Sequence, residues 1–229
     1  MSQKLTILFD LDGTLVDTAP DLMNAHNFVM KKFGYETKST DDIRKMIGQG
    51  AKSLIGRSVW GQAKKEFSKI KDKKITDEMV KDFITYYGEN ILIESELIEG
   101  VKDFLDWCKD QKISLAVCTN KPEHLAVDLL KKINIYDYFE YIAGSNTFDY
   151  CKPDPRHLTS AIEIMNGDIR KSIMIGDSEN DADAAKSAGV PMILLKNGYT
   201  DKSTNQIYHD HLISDFTKIN EIVVNYLND

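Results

Sequence analysis

The chain is predicted to fold as an α/β protein with a second, all-helical domain inserted after the first strand. Four short apolar runs, Leu5–Phe9, Ser114–Cys118, Ser172–Ile175 and Met192–Leu195, show little alternation and read as strands buried on both faces. From Gly100 onward these runs alternate with stretches of helical periodicity, which implies a parallel sheet covered by helices, and the right-handed crossover rule leaves few other topologies. Between Thr18 and Leu97, by contrast, only helical patterns occur. The expected architecture is therefore a Rossmann-like three-layer α/β/α core with a parallel sheet, formed by residues 1–17 and 98–229, and a helical cap domain formed by residues 18–97.

Taken in order, the first strand stops on Asp10 and Asp12, and Gly13 lets the backbone turn at once. A helix opened by Pro20 and closed by Gly34 carries Leu22, Ala25, Phe28, Val29 and Phe33 as its stripe. Thr40-Asp41-Asp42 caps a short helix to Ile47, and Gly48-Gln49-Gly50 interrupts before Leu54, Ile55 and Val59. The lysine-rich stretch from Lys64 to Lys74 has Phe67 and Ile70 as anchors and reads as a solvated helix face. Thr76 is the expected N-cap of a helix bearing Val80, Phe83, Ile84 and Tyr87. In the second part, helices are expected from Gly100, from Pro122, over Pro155–Met165, over Asn180–Ala188 and over Phe216–Leu227, with a short strand near Tyr141–Ala143.

At 229 residues the chain can bury roughly 70% of its unfolded surface, enough for one sizeable core with a smaller attached domain. Its formal net charge of −7 argues against a nucleic-acid or membrane-surface binder, which presents a basic face. Cys108, Cys118 and Cys151 form no C-x-x-C pair, so neither a disulfide framework nor a zinc site is indicated. His26, His124, His157, His209 and His211 show no metal-ligand spacing. The amino terminus lacks an apolar signal core and no run approaches the ~20 residues of a membrane span, so a cytoplasmic protein is expected.

The chemistry is expected at the carboxyl ends of the strands, where ligands gather in open α/β sheets. Asp10 can attack a phosphorus atom and form an aspartyl-phosphate, splitting hydrolysis into two displacements. Phosphate and carboxylate repel, and a divalent cation removes the repulsion. Asp177, at the end of the third run, supplies a further carboxylate, with Asp181 one helical turn beyond it as a first-turn acid or a fourth member of the cluster. Asp12 either ligates through its backbone carbonyl or serves as acid and base for the leaving alcohol and the attacking water. Thr119 and Asn120 end a buried strand with a hydroxyl and an amide suited to a phosphate cradle, and Lys152 is fixed by Pro153 at the entry to a helix. All-oxygen ligation suits Mg²⁺ rather than zinc.

Asp10-Leu11-Asp12-Gly13-Thr14, Thr119, Lys152 and Gly176-Asp177 with Asp181 occur in the order found in the haloacid-dehalogenase-like superfamily of phosphohydrolases, which this chain resembles along its whole length. The resemblance implies that Asp10 is the nucleophile, Asp12 the acid/base, Thr119 and Lys152 phosphate ligands, and Asp10, Asp12 through its carbonyl, and Asp177 ligands of Mg²⁺. It also implies that the helical block is a cap that closes over the site. Within the superfamily, Thr119-Asn120-Lys121-Pro122, Lys152-Pro153-Asp154-Pro155 and Ile47-Gly48-Gln49-Gly50 look like phosphoglycolate phosphatases. The first two segments are shared with other small-substrate phosphatases, so the substrate rests on the third. Gly48, Gln49 and Gly50 offer a close backbone approach and N–H groups at a helix start, a site for a small carboxylate. The expected partner is a small phosphorylated metabolite, foremost 2-phosphoglycolate, with no nucleic acid or membrane, and the chain is expected to act as a monomer or homodimer. Other readings are a sugar-phosphate phosphatase or phosphomutase, a metal-free dehalogenase for which Asp12 and Asp177 are superfluous, and a non-catalytic phosphate-binding or phospho-acceptor regulatory protein, which needs no helical roof.

Overall fold

A computed structural model describes residues 4–61 and 73–228. Six strands form one parallel sheet: β1 (Thr6–Phe9), β4 (Ser114–Cys118), β5 (Tyr141–Ala143), β6 (Ser172–Gly176), β7 (Met192–Leu195) and β8 (His211–Ile213), in the order β5-β4-β1-β6-β7-β8. β1 lies between β4 and β6 in register, with Phe9 opposite Val117 on one side and Ile175 on the other. Strand order reverses across β1, so the carboxyl ends of β1, β4 and β6 open on a common crevice at the topological switch point.

Alternation of side chains along each strand divides the core. Ile7, Phe9, Leu115 and Val117 face one side, where α5 (Val101–Asp110), α6 (Glu123–Lys132) and α9 (Ile219–Asn228) pack. There the Phe9 ring meets Phe104, Phe139 and Phe216 at centroid distances of 6.0–6.4 Å. Leu8, Ala116 and Met174 face the other side, against α7 (Arg156–Ile164) and α8 (Glu179–Ala188). Small residues on α8, Ala182, Ala184 and Ala185, are fully buried and allow that helix to lie close to β6, which ends one residue before the metal-ligating candidate Asp177.

The inserted block begins and ends on a short antiparallel ribbon, β2 (Val16–Asp17) with β3 (Glu96–Leu97), Val16 opposite Leu97. Between them lie α1 (Ala19–Lys32), α2 (Thr40–Arg44), α3 (Gly50–Trp60) and α4 (Lys73–Glu89). Buried Asp21 of α1 ties the returning chain, accepting hydrogen bonds from the backbone N–H groups of Ile93 (3.0 Å), Glu94 (3.1 Å) and Ser95 (2.9 Å) and from the Ser95 hydroxyl (2.6 Å).

Several local expectations are corrected. The stretch expected to be wholly helical ends in β3, which pairs with β2 just before it, because two-residue strands carry no periodicity to read. α4 starts at Lys73, so Thr76 lies inside the helix and does not cap it. α2 is capped by Ser39, whose hydroxyl accepts from the Asp42 N–H, one residue before the expected cap. Phe28 is exposed and stacks on Tyr86 at 4.2 Å, and β8 is an additional edge strand. The stretch around Phe67 and Ile70 lies outside the described residues. Among the described residues no helix is long and apolar enough to cross a membrane.

Candidate active site

β1 ends at Phe9, and the Asp10 N–H still donates to the Ile175 carbonyl (2.9 Å), so the sheet ladder holds the base of the Asp10 side chain. Gly13 then takes a positive φ of 84°, and a Cβ there would stand 2.3 Å from Asp177 Oδ2. That turn separates the two acids. Asp10 points to Asp177, whereas Asp12 turns to the Lys121 ammonium, 2.7 and 2.9 Å from its two oxygens, and to the Thr18 hydroxyl at 2.7 Å.

Asp177 leaves the end of β6. Its Oδ1 accepts from Thr14 (3.1 Å) and its Oδ2 from the Tyr199 N–H (2.6 Å). One turn along α8, fully buried Asp181 closes a capping box with Ser178, accepting the Ser178 N–H at 3.0 Å and its hydroxyl at 2.8 Å. Its other oxygen receives the Lys152 ammonium at 2.6 Å. Lys152 also sits 2.9 Å from Asp10 Oδ1 but off hydrogen-bonding geometry, which leaves that buried oxygen without a hydrogen bond. Ligand oxygens of Asp10, Asp177 and Asp181 all lie within 4.8 Å of one another.

Of three buried acids, two, Asp10 and Asp181, share the buried Lys152. Burial pushes the Asp10 carboxyl up to about 6, with Lys152 opposing and Asp181 reinforcing the shift. Burial and the neighbouring charges of Asp181 and Asp10 raise Asp177 well above the usual range. The site is short of positive charge. A donor set made of carboxylate oxygens, one of them lacking a hydrogen bond, fits a hard divalent cation.

Thr119, buried at the end of β4, accepts the Lys121 N–H on its oxygen (3.1 Å), and its O–H has no acceptor among the described residues. Asn120 has its amide donors occupied: Nδ2 bonds the Gly48 carbonyl and the Lys152 carbonyl, each at 2.9 Å. It ties the Gly48 turn and the lysine loop to the end of β4. Gly48, at φ 99°, faces the site and its carbonyl also receives Asn180 Nδ2 at 3.3 Å. Gln49 is not brought to the site: it is exposed, with its side chain on Ser53 at 3.1 Å. A cavity of about 50 Å³ lies between the two parts, bounded by Asp10, Asp12, Thr119 and Lys121 below and Gly48, Phe83 and Tyr87 above. At roughly 10–15 Å³ for each water position, it holds about four waters.

Two residues at this site were not singled out by spacing. Lys121 follows the strand end directly and its signal was the Thr119-Asn120-Lys121-Pro122 segment, but its partner Asp12 is 109 residues away. Tyr199 carries no local signal. Its backbone holds Asp177, while its hydroxyl accepts the Ala19 N–H at 2.9 Å and donates to Asp17, which pairs with Arg44 of α2.

Comparison with known proteins gives a consistent picture. The sequence pattern of the haloacid dehalogenase-like hydrolases matches residues 7–195. A phosphoglycolate phosphatase of Agrobacterium fabrum is 41% identical over 212 residues, covering 93% of this chain and 89% of its own. One from Caulobacter vibrioides is 36% identical, covering 97% and 92%. The crystal structure of a predicted phosphoglycolate phosphatase from Haemophilus somnus superposes with a TM-score of 0.87 at 33% identity, covering 97% of this chain and 99% of that one.

Proposed function

We propose, since the chain belongs to the haloacid dehalogenase-like hydrolases and is a phosphatase, that it is a Mg²⁺-dependent phosphomonoesterase acting on 2-phosphoglycolate through an aspartyl-phosphate. The observation that carries this reading is the buried cluster of Asp10, Asp177 and Asp181, with Lys152 against Asp10 and Asp181, beside a small cavity that Asp10 lines at the switch point of the sheet. In the proposed division of the chain, residues 1–17 and 98–229 form the catalytic core and residues 18–97 the cap that selects the substrate.

Asp10, Asp177 and the Asp12 carbonyl would hold Mg²⁺, which supplies the positive charge that lets a carboxylate meet a phosphate. A carboxylate oxygen of Asp10 attacks phosphorus in line, and the bond from phosphorus to the glycolate oxygen breaks. Asp12 gives its proton to the departing oxygen. Thr119, through its O–H, and Lys152 donate to the equatorial phosphoryl oxygens as charge develops on them. Water then attacks the phosphorus of the aspartyl-phosphate, Asp12 takes its proton, and the bond to Asp10 breaks to release phosphate. Asp181 holds Lys152 in place from the side away from the cavity.

The cap turn at Gly48 and the size of the cavity support a substrate of few atoms, and the relatives' name supports phosphoglycolate. Free cysteines, two of them buried, suit a reducing compartment such as the cytoplasm. The test is phosphate release from a panel of phosphorylated metabolites with Mg²⁺. Preference for 2-phosphoglycolate over hexose phosphates of roughly tenfold or more in kcat/KM is expected. A hexose phosphate or nucleotide as best substrate would overturn the assignment and favour a sugar-phosphate or nucleotide phosphatase.

A further inference from the structure

Tyr87 of α4 is 1% exposed, and its hydroxyl has no hydrogen-bond partner among the described residues. Buried hydroxyls are nearly always partnered, and tyrosine in particular is placed where its O–H can reach something. The ring is fixed: Phe83 stacks beside it at 6.2 Å, and the Lys121 ammonium lies 4.5 Å from its centroid. Tyr87 and Lys121 line the same cavity as Asp10, Asp12, Thr119 and Asn120, and its apolar lining, Leu22 and Ile84 among it, offers no partner.

Lys121 is the cation of that lining among the described residues. An ammonium has three N–H groups, and two of them go to the Asp12 oxygens, which leaves one for a ligand. With phosphate held near Asp10 and Thr119, the other end of a small substrate lies toward α4. It meets a free N–H from the core and a free O–H from the cap. Burial holds the Tyr87 proton well above its usual range, so this oxygen is a donor. A purely donating end group such as an ammonium repels the lysine and accepts from neither, and a neutral hydroxyl brings no charge to it, whereas a carboxylate has lone pairs for both and charge for the lysine.

We propose that Tyr87 is a specificity-determining residue, donating its hydroxyl to the substrate carboxylate beside the Lys121 ammonium. This rests on the phosphoglycolate reading and names the groups that would recognise its non-phosphoryl end.

The test compares wild type with Tyr87→Phe, which removes one oxygen and keeps the ring. Steady-state phosphate release is measured with 2-phosphoglycolate and with ethyl phosphate, which has no carboxylate, alongside the melting temperature. The ratio of kcat/KM for the two substrates is expected to fall roughly tenfold or more in the variant, mainly through KM for phosphoglycolate. Tm is expected to hold or rise, since the substitution removes an unpaired buried hydroxyl. An unchanged ratio in a phosphoglycolate-selective wild type, or an equal loss on both substrates, would overturn the role of Tyr87 alone. A wild type without preference for phosphoglycolate over ethyl phosphate would overturn the substrate reading together with it.

Discussion

Lys152 is both a proposed phosphate donor and a structural counter-ion, and the two roles separate in a double substitution. Its side chain is 1% exposed and that of Asp181 is 0% exposed. Lys152→Ala is expected to lower kcat about a hundred- to a thousandfold through loss of a donor to the developing charge. It is also expected to destabilise by about 3–5 kcal/mol, because Asp181 stays buried without compensation. Adding Asp181→Asn should restore much of the melting temperature and none of the turnover. Thermal melts and steady-state rates on both variants check this; a Lys152→Ala protein that melts like wild type would place the lysine in solvent. Asp10, Thr119, Lys152 and Asp177 were legible because each polar group closes an apolar run or abuts a proline, where a core has no use for it. Tyr199 and Tyr87 were not, and Lys121 was legible only as part of the segment after Thr119: their meaning comes from partners far along the chain.

At the level of elements, long apolar runs and four-turn stripes were readable because burial on both faces or on one face imposes its own period. The two-residue β2 and β3 are too short to show any period, and their pairing depends on residues about eighty positions apart. The start of α4 was misplaced for a related reason: a threonine followed by acids satisfies the capping rule wherever it occurs, and continuing helix upstream overrides it. Asp21 shows what holds the block's return path. Its buried carboxylate gathers three backbone N–H groups and a hydroxyl from residues 93–95. Asp21→Ala strands those donors and is expected to cost about 1–3 kcal/mol, the penalty for buried unsatisfied groups. Hydrogen exchange at Ile93, Glu94 and Ser95 should rise more than at β1; uniform exchange across both would count against the local tie.

For the molecule as a whole the formal net charge is −7, and three of its carboxylates, Asp10, Asp177 and Asp181, are buried close together. Turnover is expected to vanish with a chelator and return with Mg²⁺, while Ca²⁺, which takes longer and more numerous bonds, binds without supporting it. The sign of the pH dependence follows from Asp10, whose carboxyl moves from 3.8 to about 6 on folding. A raised acid stabilises the metal-free fold below its unfolded value, and that contribution is lost as pH rises through about 6. The cation has the opposite preference, since it binds the ionised cluster. The rise in Tm on adding Mg²⁺ should therefore be larger at pH 8 than at pH 5, and equal shifts would separate the metal from these acids. The β2–β3 ribbon has a consequence at the same scale. Its paired strands bring the departure and re-entry of the inserted helices to one doorway, Val16 beside Leu97. The helices between them therefore leave and rejoin the sheet-bearing part of the chain through one ribbon, so exchanging that block for another needs only two chain junctions, lying side by side.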